Sequence, residues 1–345
     1  MLLSILDQAP TRHGAAPGHA FHDAIALARH ADRLGYHRFW VAEHHAIGSV
    51  AISAPEVLIG TLAGVTSRVR VGSGGILLPN HRPIHVAEQF RSLEALFPGR
   101  VDLGIGRSEG AIDDAIVRAF ARPADNEHGA GYEDQLDELL AFGEVRPWPA
   151  DHPLRTARAA PIDVPLPPVF LLGSSASSAA TAARRGLGYG FAAHTNTQGA
   201  AEALTTYRRD FVAHRDGDRP HAILALKVTV GEDAEHAAAL AAPMHLSMVQ
   251  ARLGDRSPMP SVEDALAHRW TAEERAAEER YVDTRADVVG DPETVRAGIE
   301  TAVADSGADE VIAITNTPDP DERRASFSRL ATVFDLDVAP EPTRA

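Results

Sequence analysis

Two adjacent histidines, His44 and His45, directly follow Glu43 at the end of an apolar run. Histidine titrates near neutral pH and is therefore the side chain most readily used as a general acid or base. If the apolar run, residues 39–42, is a strand, neighbouring residues at its end point to opposite faces, and the two imidazoles face different directions. The pattern predicts acid–base chemistry at a strand end. Its alternative is a polar loop that happens to contain histidines.

A second group of polar residues is suited to binding an anion. Serines occupy four of the five positions that follow Gly173, where a predicted strand leads into a helix: Ser174, Ser175, Ser177 and Ser178. Hydroxyls and free amides at a helix N-terminus favour phosphate. Arg107, just past another strand, could add two parallel donors. Ordinary helix capping and a surface ion pair are the alternatives, and we favour phosphate for the serines.

Two glycine patterns give different indications. Gly74 and Gly75 lie in the middle of a predicted strand, where glycine costs chain entropy and packing. We therefore expect a distorted backbone there, or a flat group lying against it. Residues 104–110 resemble a dinucleotide fingerprint, but the third glycine comes one residue too late. We do not predict a Rossmann-type nucleotide site.

The elements that must position these residues alternate regularly between strands and helices. Eight strands are predicted, each followed by a helical pattern: residues 2–6, 37–42, 69–78, 100–106, 169–172, 187–193, 222–230 and 310–315. Such alternation implies parallel strands. Eight units predict an α/β TIM (β/α)8 barrel whose chemistry lies at the carboxyl ends of its strands. We expect one domain, residues 1–345, with an insertion at about 234–287 on that face.

A metal site is a further possibility that the pattern disfavours. His44, His45, His81 and His85 are the candidate ligands. Adjacent histidines on opposite strand faces are poor joint ligands. The first strand ends in Asp7-Gln8 rather than in the His-x-His pair of metal-dependent hydrolases of this fold. We predict no metal.

The amino-acid composition limits the kinds of partner that we expect for this protein. The formal net charge of -15 argues against nucleic acid and anionic membranes, which bind basic surfaces. The absence of cysteine excludes disulfides, thiolate metal sites and a cysteine nucleophile. The N-terminus lacks the basic region of a signal peptide, and no apolar run approaches the ~20 residues that span a bilayer. We expect a cytoplasmic protein.

Taken in order, several motifs resemble one enzyme family along nearly the whole chain. The chain looks like a bacterial-luciferase-like flavin-dependent monooxygenase. The segments that carry the resemblance are residues 6–8, 35–45, 53–56, 71–79, 87–90, 97–100, 103–107, 173–175 and 290–293. Together they are specific for the family but not for a substrate.

The resemblance implies a barrel that binds reduced FMN or, in some branches, the deazaflavin F420. It implies a cis peptide between Gly74 and Gly75 in a bulge of the third strand. It makes His44 the catalytic histidine, with His45 beside it, and Glu43 a residue that orients an imidazole or pairs with Arg107. The family's phosphate site corresponds to Arg107, Ser174, Ser175 and Ser178. Luciferase has an acidic residue at the position of Ser174 and a reactive cysteine at that of Gly106, where glycine opens space beside the flavin.

The leading expectation is a two-component monooxygenase. Reduced FMN would come from a separate flavin reductase, and O2 and a small organic substrate of unknown identity would complete the reaction. One alternative is an F420-dependent oxidoreductase of the same fold, and another is a non-catalytic flavin-binding subunit. The family also suggests a homodimer formed through the early helices.

Overall fold

Eight parallel strands close into a barrel around an apolar interior. The computed structural model describes residues 1–16, 18–108, 114–120, 131–196, 198–214, 216–282 and 287–338. Within these ranges the strands are β1 Leu2–Asp7, β2 Arg38–Val41, β3 Arg70–Leu77, β4 Val101–Gly106, β5 Val169–Gly173, β6 Gly188–Phe191, β7 Ala222–Val230, β8 Asp287–Gly290 and β9 Glu310–Ile314. The barrel order runs from β1 to β7 and closes through β9 onto β1. The predicted TIM barrel is confirmed.

The ninth strand, β8, was not expected. The first half of β7 pairs with β6 and β9 inside the barrel wall. Its second half, from Lys227 to Val230, pairs with Asp287–Gly290 of β8. The sequence pattern assigned residues 234–287 to an insertion, and only Val288 and Val289 are apolar in this strand, so β8 was missed.

Helices cover the outside of the barrel and begin and end at proline and glycine. Four of them have proline in the first turn, where no amide donor is needed. Gly35 and Gly186 adopt left-handed conformations and end α1 and α6. The described helices are α1 His19–Leu34, α2 Pro55–Val65, α3 Pro83–Leu96, α4 Asp114–Phe120, α5 Tyr132–Phe142, α6 Ala176–Arg185, α7 Ala200–Arg209, α8 Ala234–Arg252, α9 Val262–Ala267, α10 Ala272–Val282, α11 Pro292–Ser306 and α12 Pro320–Val333.

One helix is shorter than predicted. The sequence pattern from Ala200 to His214 predicts a helix over that whole range, but α7 ends at Arg209. The chain then turns back, and the amide of Val212 donates to the carbonyl of Ala183, 2.9 Å away. This tertiary hydrogen bond replaces the one that would have continued the helix.

The barrel has two apolar cores, and a third, small cluster packs Val249 of α8 against Ala277 of α10. The larger lies between the strands and the surrounding helices. The smaller lies inside the barrel and consists of Leu6, Trp40, Ala42, Phe170, Ile223, Ala225, Ile312 and Ile314. Because side chains alternate along each strand, consecutive strand residues belong to different cores.

A charged cluster forms the floor of the barrel beneath the inner core. The Arg38 guanidinium lies between Asp102 at 2.6 Å and Glu310 at 3.0 Å. Arg70 also binds Asp102, at 2.6 Å, and His221 Nε2 lies 2.7 Å from Glu310. The two arginines balance the two carboxylates at the amino ends of the strands. In this fold that end contributes stability rather than chemistry.

Between residues 234 and 282 the chain forms the three helices α8 to α10, and β8 begins at Asp287. The loop that follows α8 contacts the loops at the carboxyl ends of β1 and β2. The His13 amide donates to the Met259 carbonyl at 3.0 Å, and a Cβ on Gly48 would overlap the Arg256 carbonyl. The division of the chain into one domain with an insertion stays a prediction. None of the helices in the described ranges is long and apolar enough to cross a bilayer.

Candidate functional site

A cavity of about 390 Å³ opens at the carboxyl ends of the barrel strands, above the inner core. Nine of the ten predicted site residues line it: Glu43, His44, Gly74, Gly75, Gly106, Arg107, Ser174, Ser175 and Ser178. The tenth, His45, is not among the lining residues. The volume is within the range of small-ligand and cofactor sites.

Glu43 fixes the turn that follows β2. Its carboxylate, 2% exposed, accepts hydrogen bonds from the Leu77 amide at 2.9 Å, from His81 Nε2 at 2.9 Å and from His45 Nε2 at 2.8 Å. Burial raises the pKa of the Glu43 carboxyl, but the hydrogen bonds, with that from His81 the strongest, bring it below its usual value. Glu43 therefore stays ionised and orients two imidazoles. Among the described contacts it makes no pair with Arg107.

The two adjacent histidines are placed differently. The His44 amide donates to the Ile52 carbonyl at 2.8 Å, and its side chain faces the cavity. The His45 ring turns to Glu43 and packs against Phe120, with ring centroids 4.5 Å apart. The two imidazoles diverge as expected, but strand alternation is not the reason, because β2 ends at Val41 and both histidines lie in the turn that follows it. These placements do not test a catalytic role, which stays a prediction for both residues.

The imidazole of His44 is uncharged at neutral pH. Burial lowers the pKa of His44 to about 4, against the opposing effect of the Glu43 charge. Nδ1 is enclosed by protein and has no hydrogen-bond partner among the described residues. Nε2 is therefore the ring nitrogen that can exchange a proton or a hydrogen bond with the cavity contents.

A second imidazole, His194, was missed by the sequence argument. It follows β6, lines the same cavity, and its amide donates to the Ala225 carbonyl at 3.0 Å. Burial, with Lys227 acting in the same direction, lowers the pKa of His194 to about 3. Its Nδ1 also lacks a partner within the described part of the chain. The sequence feature that could have identified His194 is the one that identified His44: a histidine directly after a predicted strand.

These two imidazoles predict an acid-sensitive stability. Because the unfolded chain binds protons near pH 6.5 and the folded chain only near pH 4 or 3, stability is lost as the pH falls below about 6.5. Each imidazole is expected to remove about 2 kcal/mol between pH 7.5 and pH 5. Urea unfolding of wild type and of His44→Asn/His194→Asn at both pH values measures this. The double variant should lose less stability on acidification, and His85→Asn, on the exposed start of α3, should behave as wild type. An equal loss in wild type and double variant would contradict the assignment.

Residues 174–178, the serine turn, form the N-terminus of α6 and belong to the cavity lining through Ser174, Ser175 and Ser178. Ser175 caps the helix, with its Oγ accepting from the Ser178 amide. A Cβ on Gly173 would overlap Ser178 Oγ, so glycine is required for this close approach. Arg107 is exposed, and no described carboxylate pairs with it. The hydroxyls, the amides of the first turn and this guanidinium are the chemistry that an anion requires.

The two central glycines lie in a bulge of β3. The β3–β4 register shifts between Ser73 and Ile76, and the Gly74–Gly75 peptide is cis, as predicted. A Cβ on Gly74 would approach Leu6 Cδ1 to 2.6 Å, and one on Gly75 would approach the Gly104 backbone to 2.8 Å. The barrel's own neighbours therefore require both glycines, and both still line the cavity.

The four candidate metal ligands do not converge. His44 lines the cavity, His45 and His81 bind Glu43, and His85 lies exposed on α3. No group of three or more histidine, aspartate or glutamate side chains in the described ranges is arranged to hold a metal ion.

Comparison with known proteins agrees with this geometry. A family model described as luciferase-like monooxygenase matches residues 1–310. A luciferase-like monooxygenase of Escherichia coli K12 is 34% identical over 325 residues, 94% of each chain. The N-acetyl-S-alkylcysteine monooxygenase of Bacillus subtilis is 41% identical over 216 residues, 61% of this chain and 62% of the relative.

Solved structures with the same fold bind two kinds of cofactor. Apo-MsnO8 superposes with a TM-score of 0.85 at 36% identity, over 98% of this chain and 99% of its own. The oxygenating constituent of 3,6-diketocamphane monooxygenase from Pseudomonas putida, in complex with FMN, has a TM-score of 0.67 at 20% identity, over 99% and 98%. An F420-dependent secondary alcohol dehydrogenase has a TM-score of 0.67 at 15% identity, over 96% and 98%. At 20% and 15% identity, the last two similarities show that the folds are alike and nothing more.

Proposed function

The chain belongs to the luciferase-like monooxygenase family, and from this membership we propose that it uses reduced FMN and O2 to oxygenate a small organic substrate. The observation that carries the proposal is the composition of the cavity. The cavity is lined by Arg107 and the serine turn, by apolar side chains of the barrel interior and by the uncharged imidazole of His44.

The residues of the cavity fit FMN by their chemistry. Arg107 and the serine turn would hold the phosphate. Arg107 offers a charged donor that pairs with no described carboxylate, and the serine turn offers hydroxyls. The isoalloxazine would lie against the apolar lining, beside the Gly74–Gly75 bulge and Gly106. A Cβ on Gly106 would contact only a side chain and one more distant carbonyl, so glycine there leaves room.

The protein's part in catalysis is to position groups, hold a proton and exclude water. Bound reduced FMN supplies the electrons that activate O2. His44 would accept or return a proton at Nε2, which an imidazole with a pKa of about 4 can do as a base at neutral pH. Leu6, Trp40 and Ile312 line the cavity and would keep water from the reacting centre. Glu43 would act through His45 and His81 by fixing the turn that presents His44.

The source of electrons would be a separate flavin reductase. The sequence contains no nicotinamide fingerprint of the required spacing. A cytoplasmic location and a homodimer formed through the early helices complete the proposal. Because one relative acts on N-acetyl-S-alkylcysteine, thioethers of that type are the first substrates to screen.

Two alternatives follow from the same fold. An F420-dependent oxidoreductase would transfer hydride without O2, and a similar fold binds F420 in a distant structure. A non-catalytic flavin-binding subunit would bind FMN but form no product. The intact His44 and Arg107 argue against the second alternative.

Cofactor titration tests the proposal, with Arg107 as the probe. FMN, riboflavin and F420 are titrated into the purified protein, and binding is followed by fluorescence. We expect FMN to bind more tightly than riboflavin, and Arg107→Gln to weaken FMN binding by about 10- to 100-fold, because a charge-assisted contact is lost. Riboflavin binding should be unchanged, and Arg107→Lys should retain part of the affinity. Tight binding of F420 without binding of FMN would reject the proposal.

A further inference from the structure

Tyr189 contacts the serine turn from behind, outside the cavity. It is fully buried in the outer core and is not a lining residue. Its Oη lies 2.9 Å from Ser178 Oγ and 3.2 Å from the Ser175 carbonyl oxygen. A buried tyrosine therefore shares hydrogen bonds with two of the residues that face the cavity.

Tyr189, Ser175 and Ser178 have few hydroxyl protons with which to donate hydrogen bonds. Ser178 has a single hydroxyl proton, and its shortest contact is with the Ser175 carbonyl, at 2.8 Å. Ser178 can donate to a ligand only by turning that proton away from the carbonyl. The Ser175 carbonyl then keeps the helical hydrogen bond from the Ala179 amide, at 3.2 Å, but loses its shortest one, which costs free energy unless another donor replaces it.

Tyr189 is positioned to be that donor. Its hydroxyl already reaches the Ser175 carbonyl, and it can alternatively donate to Ser178 Oγ. In either arrangement the Ser178 proton becomes available. A hydroxyl that accepts a hydrogen bond is also a better donor. Burial raises the pKa of Tyr189 to about 12, so the phenol keeps its proton at neutral pH.

We propose that Tyr189 is a positioning residue that releases the Ser178 hydroxyl to donate to a bound phosphate group. The inference rests on the proposed function, because the phosphate is that of the flavin cofactor. According to this proposal, Tyr189, Ser175 and Ser178 together favour phosphorylated over unphosphorylated flavin. This selectivity depends on Tyr189 although Tyr189 does not contact the ligand.

The experiment compares FMN with riboflavin, which differ by the phosphate. Dissociation constants are measured by fluorescence for wild type and for Tyr189→Phe, which keeps the ring and removes only the hydroxyl. We expect FMN binding to weaken about three- to ten-fold and riboflavin binding to stay within two-fold. Tyr207→Phe is the matched control. The Tyr207 ring packs at a tilt against Tyr189, with centroids 5.5 Å apart. Its hydroxyl donates to the Leu187 carbonyl at 2.7 Å and accepts from the His221 amide at 3.0 Å, and it has no hydrogen bond to the serine turn.

A double-mutant cycle with Ser178→Ala separates this role from a structural one. If Tyr189 acts through Ser178, its substitution should weaken FMN binding little further once Ser178 is alanine. Additive losses, or equal losses for FMN and riboflavin, would overturn the inference. If wild type does not distinguish FMN from riboflavin, the phosphate site and with it the proposed function fail. If wild type distinguishes them and Tyr189→Phe does so equally well, only the role of Tyr189 fails.

Discussion

Replacing His44 with alanine is expected to lower product formation by about 10²- to 10⁴-fold, the contribution of one general acid or base. The imidazole lines the cavity and carries no charge at neutral pH, and Nε2, unlike the enclosed Nδ1, is the nitrogen that can reach the cavity contents. Alanine removes the imidazole without changing the serine turn. FMN binding should therefore stay within a few-fold of wild type, and product formed per reduced FMN supplied by a reductase is the measurement.

The neighbouring residue provides the control for this prediction. His45→Ala removes an adjacent imidazole of the same size that binds Glu43 instead of lining the cavity. We expect it to lower product formation by less than about ten-fold, through the turn alone. If His44→Ala forms product at the wild-type rate, or if His45→Ala is the more severe variant, the assignment of His44 as the base is wrong.

The location of the site could be predicted because a parallel barrel brings all strand carboxyl ends together. His44, Arg107 and Ser175 are far apart in the sequence, yet each follows a predicted strand, and all three line one cavity. His194 follows a strand in the same way, so the rule was sufficient to find it. His194 opens the polar run 194–198, so this strand end carries the same kind of signal as the end of the second strand.

The hydrogen-bond partners could not be predicted in the same way. Glu43 binds His45 and His81, a choice that depends on side-chain rotamers and on the path of β3. Tyr189 reaches the serine turn from the outer core, because side chains alternate along β6 and only Gly190 faces the cavity. Sequence spacing places residues on faces but does not determine which atoms meet.

The charged floor of the barrel was also not foreseen. Arg38, Arg70, Asp102 and Glu310 each lie at or near the start of a predicted strand, where a charged residue is usually exposed. Three of them are buried, at 6% exposure or less. Their burial depends on mutual neutralisation across four strands, which only the closed barrel provides.

Asp102→Asn is expected to cause the largest loss of stability, about 3–5 kcal/mol in the free energy of unfolding. Asparagine keeps the volume but removes a charge that binds both Arg38 and Arg70. Arg38 then remains buried with only Glu310 to neutralise it. The Trp40 indole, which donates to Asp102 at 3.2 Å and lines the cavity, loses an ionised acceptor.

The matched control is Glu300→Gln, which removes a carboxylate that pairs with Arg296 one helical turn away on α11 and is 59% exposed. An exposed pair contributes about 0–1 kcal/mol, so this variant should unfold close to wild type in urea. A similar small effect of Asp102→Asn would show that the floor is solvated or that the arginines find other partners. Both variants lose one carboxylate that pairs with an arginine, but only Asp102→Asn leaves a guanidinium inside the barrel with one fewer counter-charge. Comparing them therefore distinguishes the loss of a buried charge from the loss of an exposed ion pair.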